Sequence, residues 1–236
     1  MNQGRQGRLA RLREFQRQQR FIFLFGGLLI LLVIAPLFEV SSISREFLAG
    51  ITSLILLSGV YTVLHESWGL FSAALVLIAV NFFTLWWEYA SWSTGAAVVH
   101  YAGLLIFFIF IIIIIFKQVF QETTINRNVI YGAVTVYLLL AFTWGLLFAI
   151  VFILDHESFR NIVMPPDSYF SPVPFWYLSF LTITTMGYND MAPASDLAKS
   201  LAMIEAVIGQ LYLVLQVSLL VGLRVSEVAA RRHEKK

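Results

Sequence analysis

The chain reads as an all-α membrane protein: six transmembrane helices, a re-entrant half-helix and an extended segment behind it. Three observations predict this. Of the 236 residues, 59% are hydrophobic and 13% charged, whereas a soluble domain is about half apolar and about a quarter charged. Charge-free blocks recur at 21–38, 47–64, 68–87, 95–116, 128–154 and 206–223, each about the length that crosses a bilayer as a helix, roughly 20 residues. The basic residues are also lopsided. With six alternating spans, the side holding both termini receives the arginines of 1–20, Lys117, Arg127, Arg224, Arg231, Arg232, Lys235 and Lys236, while the other receives Arg45, Arg160 and Lys199. The basic side is expected to be cytoplasmic, and an odd number of spans would destroy the asymmetry. The expected location is therefore the cell membrane, multi-pass, with N- and C-termini cytoplasmic.

Each element has its own signal. Residues 1–20 carry six arginines, with Leu9, Leu12, Phe15 and Phe21 at near-helical spacing. They read either as an amphipathic helix on anionic lipid of the inner leaflet or as a solvated tail that sets topology. The first apolar run has 18 residues and no small-residue cleavage pattern after it, so it reads as a span and not as a signal peptide. Glu39–Glu46 joins the first two spans outside, and His65-Glu66-Ser67 makes a tight inside turn. Trp86, Trp87, Tyr89 and Trp92 form an interfacial belt outside the third span. Residues 21–117 thus make a four-helix membrane domain.

That domain lacks the arginines of a voltage sensor. Moving each charge through the field is worth about 2.3 kcal/mol per 100 mV, and the fourth span has no Arg or Lys before Lys117. His100 is its one titratable group and reads as hydrogen-bonded packing. There is no cysteine, and His65, His100, His156 and His233 are scattered without metal-ligand spacing. No catalytic constellation, organic cofactor or nucleic-acid partner is expected.

Lys117–Arg127 reads as a junction, and the span 128–154 follows. Asp155–Ser171, with Pro165-Pro166, is an outside loop. Ser171-Pro172 suits a helix start, because Ser accepts from free N–H groups and Pro fits the first turn. The helix from Pro172 to about Ile183 is too short to span. It must enter from outside and stop halfway. Then comes Thr184-Thr185-Met186-Gly187-Tyr188-Asn189-Asp190, followed by Ser195 as an N-cap for the last helix. Non-helical backbone at membrane depth is tolerated only where protein buries it or water fills a cavity. One such strand cannot satisfy its own carbonyls. Several copies around an axis can, with dehydrated cations, and a helix C-terminus aimed at the bilayer centre favours a cation there.

The run Thr185-Met186-Gly187-Tyr188 followed by Asn189-Asp190 resembles the T-V-G-Y-G-D signature of potassium channels, members of the pore-loop cation channel superfamily. Trp176–Thr182 is similar to that family's pore helix, and Glu205–Tyr212 to the inner helix of its bacterial members. The resemblance covers roughly 128–225. It implies a pore domain over 128–226, a short cytoplasmic tail over 227–236, and a homotetramer, since each chain supplies one filter strand. By position, the first four spans are similar to the membrane domain of six-span channels.

The resemblance also implies residue roles. Carbonyls of Thr185, Met186, Gly187 and Tyr188 would form stacked K⁺ sites that replace the ion's water, with the Thr185 hydroxyl completing the innermost. Thr184 would support the filter. Met186 stands where Val is usual and would pack away from the ions. Gly187 would supply positive φ, and Tyr188 would brace the filter from behind. Asn189 replaces a glycine; of the other residues it best tolerates the left-handed region. Asp190 would bond behind the filter, but Leu181 stands where some members carry a partner carboxyl, leaving the filter less firmly braced.

On the last helix, Gln210, Leu213, Val217, Val221 and Val225 share one face and would line the cavity, the valines converging as a hydrophobic gate. Gly209 stands at the family's hinge distance. It reads as a bending point or as a close-packing residue. Glu205, one turn above, would bond behind the pore helix or titrate. With no sensor arginines, and no ligand-binding domain expected after Arg224, the remaining gating sources are lipid at the N-terminus, protons at Glu205 or His100, and the filter itself. The expected function is a potassium-selective channel. The alternatives are a weakly selective Na⁺/K⁺ pore, arising from Asn189, and a non-conducting membrane subunit that keeps the pore fold. A secondary transporter is disfavoured because the span pattern does not repeat between halves.

Overall fold

A computed structural model describes residues 21–38, 44–63, 67–91, 93–122, 126–162, 170–188 and 190–233. Sequence expectations for 1–20, the turn at His65, Trp92, Pro165-Pro166 and Asn189 lie outside the described residues. In chain order the helices are α1 (Ile22–Phe38), α2 (Ser44–Val63), α3 (Trp68–Ser91), α4 (Thr94–Gln121), α5 (Arg127–Leu154), α6 (Val173–Ile183) and α7 (Asp196–His233). Trp68–Glu88, Thr94–Gln121, Arg127–Leu154 and Asp196–Val225 are long and apolar enough to cross a membrane by length and composition. Ile22–Leu37 and Ala49–Val63 are shorter apolar helices.

Caps explain two of the starts. Ser93 accepts from Ala96 N at 3.2 Å, and Asn126 accepts from Val129 N at 2.9 Å; both satisfy N–H groups that a first turn leaves free. Several bounds differ from the charge-free blocks. The helix α4 continues past Lys117 to Gln121, so the polar junction begins later than Lys117. The last helix starts ten residues before Ala206 and passes position 226 to reach His233 without a break. Charged residues at helix ends are compatible with helix, so a charge-based reading trims them.

The helix α5 is the hub. It packs against α1, α4, α6 and α7, while α1–α2, α2–α3 and α3–α4 pack in sequence around it. One apolar core runs through this assembly, from Leu24 and Leu28 of α1 through Phe107 and Ile111 of α4 to Phe142 and Leu146 of α5. A smaller cluster of Phe148, Phe152, Phe159 and Phe175 lies where α5 meets the start of α6. There a two-residue antiparallel ribbon pairs Phe159 with Pro193 and Arg160 with Ala192. The ribbon continues in Ala194 N and Ser195 N, both donating to Ser158 O at 2.8 and 3.2 Å. It ties the segment that leaves the half-helix to the end of α5.

Candidate functional site

The half-helix α6 has 11 residues, about 16 Å at 1.5 Å per residue, roughly half the apolar thickness of a bilayer. Ser171 opens it as the sequence suggests: Val173 N donates to Ser171 Oγ at 3.3 Å. The helix is wedged between α5 and α7 by three contacts along one face. Near its start, Trp176 sits on Gly145 of α5 so closely that a Cβ there would lie 2.6 Å from Trp176 Cδ1 and 2.9 Å from its Cα. One turn deeper, the buried Ser179 Oγ reaches Ala141 O of α5 at 2.6 Å and Glu205 Oε1 of α7. At its end, Ile183 sits on Gly209 of α7, where a Cβ would lie 2.4 Å from Ile183 Cγ1. Tyr137 of α5 donates to Ile183 O at 3.2 Å. Phe142 fills the remaining gap, edge-on to both Trp176 and Phe180.

The helix stops in a Schellman arrangement. Thr185 N donates to Thr182 O at 3.0 Å and Met186 N to Leu181 O at 2.9 Å, with Gly187 N at 3.4 Å from the same carbonyl. This pattern requires a left-handed residue just past the helix. That residue is Thr185, at φ 59°. A β-branched side chain is poorly suited to this region, at roughly 1–3 kcal/mol of local strain. Gly187 follows at φ 55°, as its predicted role requires, while Met186 between them is not inverted. Inverting every second residue turns successive peptide carbonyls toward one side, where an ordinary strand alternates them. The Thr185 hydroxyl donates to Thr184 O at 2.7 Å, and Thr184 Oγ1 donates to Phe180 O.

On either side of Gly187 the side chains are open in the single chain: Met186 is 58% and Tyr188 67% exposed. Bracing by Tyr188 would have to come from a neighbouring copy. For Asp190 the structure corrects the sequence expectation of a missing partner. Tyr177, on the outer part of α6, donates to Asp190 Oδ2 at 2.9 Å, and Met191 N donates to Oδ1 at 3.0 Å. Leu181 is buried and serves through its backbone carbonyl instead. The strand's exit is thus pinned to the helix that feeds it.

The last helix is capped as predicted, with Ala198 N donating to Ser195 Oγ at 3.2 Å. Its packed face is Glu205, Gly209, Tyr212 and Gln216. Tyr212 donates to Ala133 O of α5 at 2.6 Å and stacks on Tyr137. Gln210, Leu213, Val217, Val221 and Val225 are all exposed in the single chain. Ile204, Leu211 and Val214 are exposed too, so much of the helix surface is open to neighbours, lipid or water. The helix runs unbroken through Gly209. Its missing side chain admits Ile183, which is the close-packing reading of this residue.

The outer unit holds a polar cluster that sequence reasoning saw only as a lone histidine. His100 is buried on α4, with Nδ1 3.2 Å from Thr84 Oγ1 and Nε2 3.9 Å from Glu88 Oε2 on α3. Asn81, one turn away, donates to Gly103 O at 3.2 Å. An i, i+3, i+7 spacing of Asn81, Thr84 and Glu88 was the available signal. Among the described residues no group of His, Asp and Glu has a metal-binding arrangement.

Residues 127–223 match a family model described as "Ion channel". The matched segment begins at α5 and takes in the half-helix, the strand behind it and most of α7, and that part of the chain is similar to an ion-channel domain. No curated protein matches, and no solved structure matches.

Proposed function

We propose that four copies of this chain form a potassium-selective channel in the cell membrane, with six spans per chain and both termini cytoplasmic. The observation that carries this reading is the backbone of Thr185–Gly187. Its φ is positive at Thr185 and Gly187, and it follows an 11-residue helix that is held by α5 and α7. At membrane depth such a backbone must be buried by protein or line a cavity, and a ring of its carbonyls can replace an ion's water. One chain supplies one row, so a cage needs copies around an axis.

In this reading the carbonyls of Thr185, Met186, Gly187 and Tyr188 hold K⁺, and Thr184, Asn189 and Asp190 support the mouth. The face Gln210, Leu213, Val217, Val221 and Val225 lines the cavity below, the valines narrowing it toward the cytoplasm. The absence of Arg and Lys from the α4 core before Lys117 argues against opening by a charged voltage sensor. The Arg-rich residues 1–20 rest on anionic lipid in this scheme.

The test is K⁺ and Rb⁺ flux into liposomes holding purified protein, with reversal potentials in mixed K⁺/Na⁺. A potential that follows K⁺ supports the proposal. Equal permeabilities would leave a channel but sink potassium selectivity, and no flux under any pH, lipid or voltage would leave a non-conducting subunit.

A further inference from the structure

Glu205 is fully buried in α7, and its hydrogen bonds do not balance if it is ionised. Its Oε1 bonds Ser179 Oγ on the half-helix, and the same hydroxyl lies 2.6 Å from Ala141 O on α5. A serine hydroxyl has one proton and a backbone carbonyl has none. If the serine proton went to Glu205, two oxygens 2.6 Å apart would face each other with no hydrogen between them. Both bonds form only when Ser179 donates to Ala141 O and Glu205 donates to Ser179 Oγ. The other carboxyl oxygen, Oε2, is buried without any partner. A neutral acid tolerates that position far better than an anion, whose burial without a counter-charge is heavily penalised.

The surroundings offer no cation. Tyr137 lies within electrostatic range of Glu205 from α5, and its hydroxyl is committed to Ile183 O. The half-helix contributes Ser179, which is uncharged. On α7 itself, Tyr212 lies two turns on and donates to Ala133 O. Among the described residues no Lys, Arg or His pairs with Glu205.

We propose that Glu205 is a neutral carboxylic acid that donates to Ser179 Oγ, and that this relay is a positioning device holding the half-helix to α5 and α7 together. Raising pH removes the proton that completes the relay, so the half-helix loosens and permeation falls; lowering pH leaves the relay whole. The permeation clause rests on the channel reading of the preceding subsection, whereas the protonation clause does not.

Two measurements separate them. Infrared difference spectra of purified protein at neutral pH should show a buried carboxylic-acid C=O stretch that is missing in Glu205→Gln. In the wild type alone, that band should fade as pH rises, which decides the matter even if the variant misfolds. In liposomes, wild-type K⁺ flux should be lost at alkaline pH, and Ser179→Ala should show that loss at neutral pH. Glu205→Gln, whose amide N–H also donates to Ser179 Oγ, should keep its flux at alkaline pH. A carboxylate at position 205 at neutral pH, or a Glu205→Gln flux as alkali-sensitive as the wild type, would overturn the proposal. A wild type that never conducts would refute the channel reading, and the infrared band would still decide the protonation of Glu205.

Discussion

Tyr177 on the half-helix and Asp190 at the far end of the filter segment, 13 positions apart, are joined by a 2.9 Å hydrogen bond that closes a loop. The bond spans the carbonyl segment from behind, so the strand is held at its entry by the Schellman turn and at its exit by this phenol. Both partners are exposed, which places its contribution to folding in the range of roughly 0.2–1 kcal/mol. Its effect on the strand is more direct. Tyr177→Phe is expected to fold and assemble like the wild type while its K⁺ flux decays faster during sustained conduction. Tyr177→Trp, which restores a donor, should recover much of the duration. A Tyr177→Phe protein with unchanged flux over time would show that Asp190 is held by other means.

The half-helix also depends on two missing side chains. At Gly209 an added Cβ meets Ile183 Cγ1 at 2.4 Å and Ile183 O at 3.1 Å. At Gly145 it meets the Trp176 side chain and, at 2.9 Å, its backbone Cα. Overpacking of this kind typically costs 1–3 kcal/mol. Gly145→Ala should be the more damaging, because backbone cannot swing aside as a side chain can. Combining Gly209→Ala with Ile183→Ala should recover part of the lost thermal stability, since Ile183→Ala vacates the space that the new Cβ needs. Melting of the detergent-solubilised protein measures both. Additive losses in the double variant would exclude the contact.

These contacts mark the boundary of what the sequence disclosed. Charge-free runs located the spans, and the 12-residue distance from Pro172 to Ile183 revealed a helix too short to cross. Ser171 and Ser195 were legible because a cap acts within three residues. Tyr177–Asp190 was not, because the chain folds back across a non-helical strand and the expected position for a partner held Leu181. Ser179–Glu205 lies 26 residues apart on different helices; only the packing of α6 against α7 brings them together. Thr185 at positive φ ran against propensity, since β-branched residues rarely adopt it. The Schellman geometry around it overrides that preference.

This override is itself testable. Thr185→Gly removes the Cβ from a left-handed residue and should relieve about 1 kcal/mol or more of local strain. The protein should therefore melt higher while losing the hydroxyl assigned to the innermost ion site, with weaker discrimination between K⁺ and Na⁺. Gly187→Ala does the opposite. It places a Cβ at φ 55°, at roughly 1–2 kcal/mol, and should abolish flux. Normal conduction by Gly187→Ala would refute the filter assignment; a Thr185→Gly protein that melts lower would show that the hydroxyl bond to Thr184 O outweighs the strain.

The outer helices reach the site through Tyr101. Its hydroxyl donates to Phe170 O at 2.9 Å and its ring lies 5.7 Å from that of Phe170, which stacks in turn on Phe175 in the first turn of α6. His100, the next residue on α4, belongs to the polar cluster with Thr84 and Glu88. The cluster and the contact to the entry of the half-helix therefore share adjacent residues of α4. Tyr101→Phe keeps the ring and deletes the hydroxyl, so its effect isolates the bond. A hydrogen bond typically contributes about 0.5–1.5 kcal/mol net, and a loss in that range is expected in melting. If the outer unit governs the pore, Tyr101→Phe should also separate the two: substitutions at His100 that alter flux in the wild type should alter it less in the Tyr101→Phe background. Equal effects of His100→Gln in both backgrounds would show that this bond does not carry the coupling, leaving the direct packing of α1 and α4 on α5 as the route.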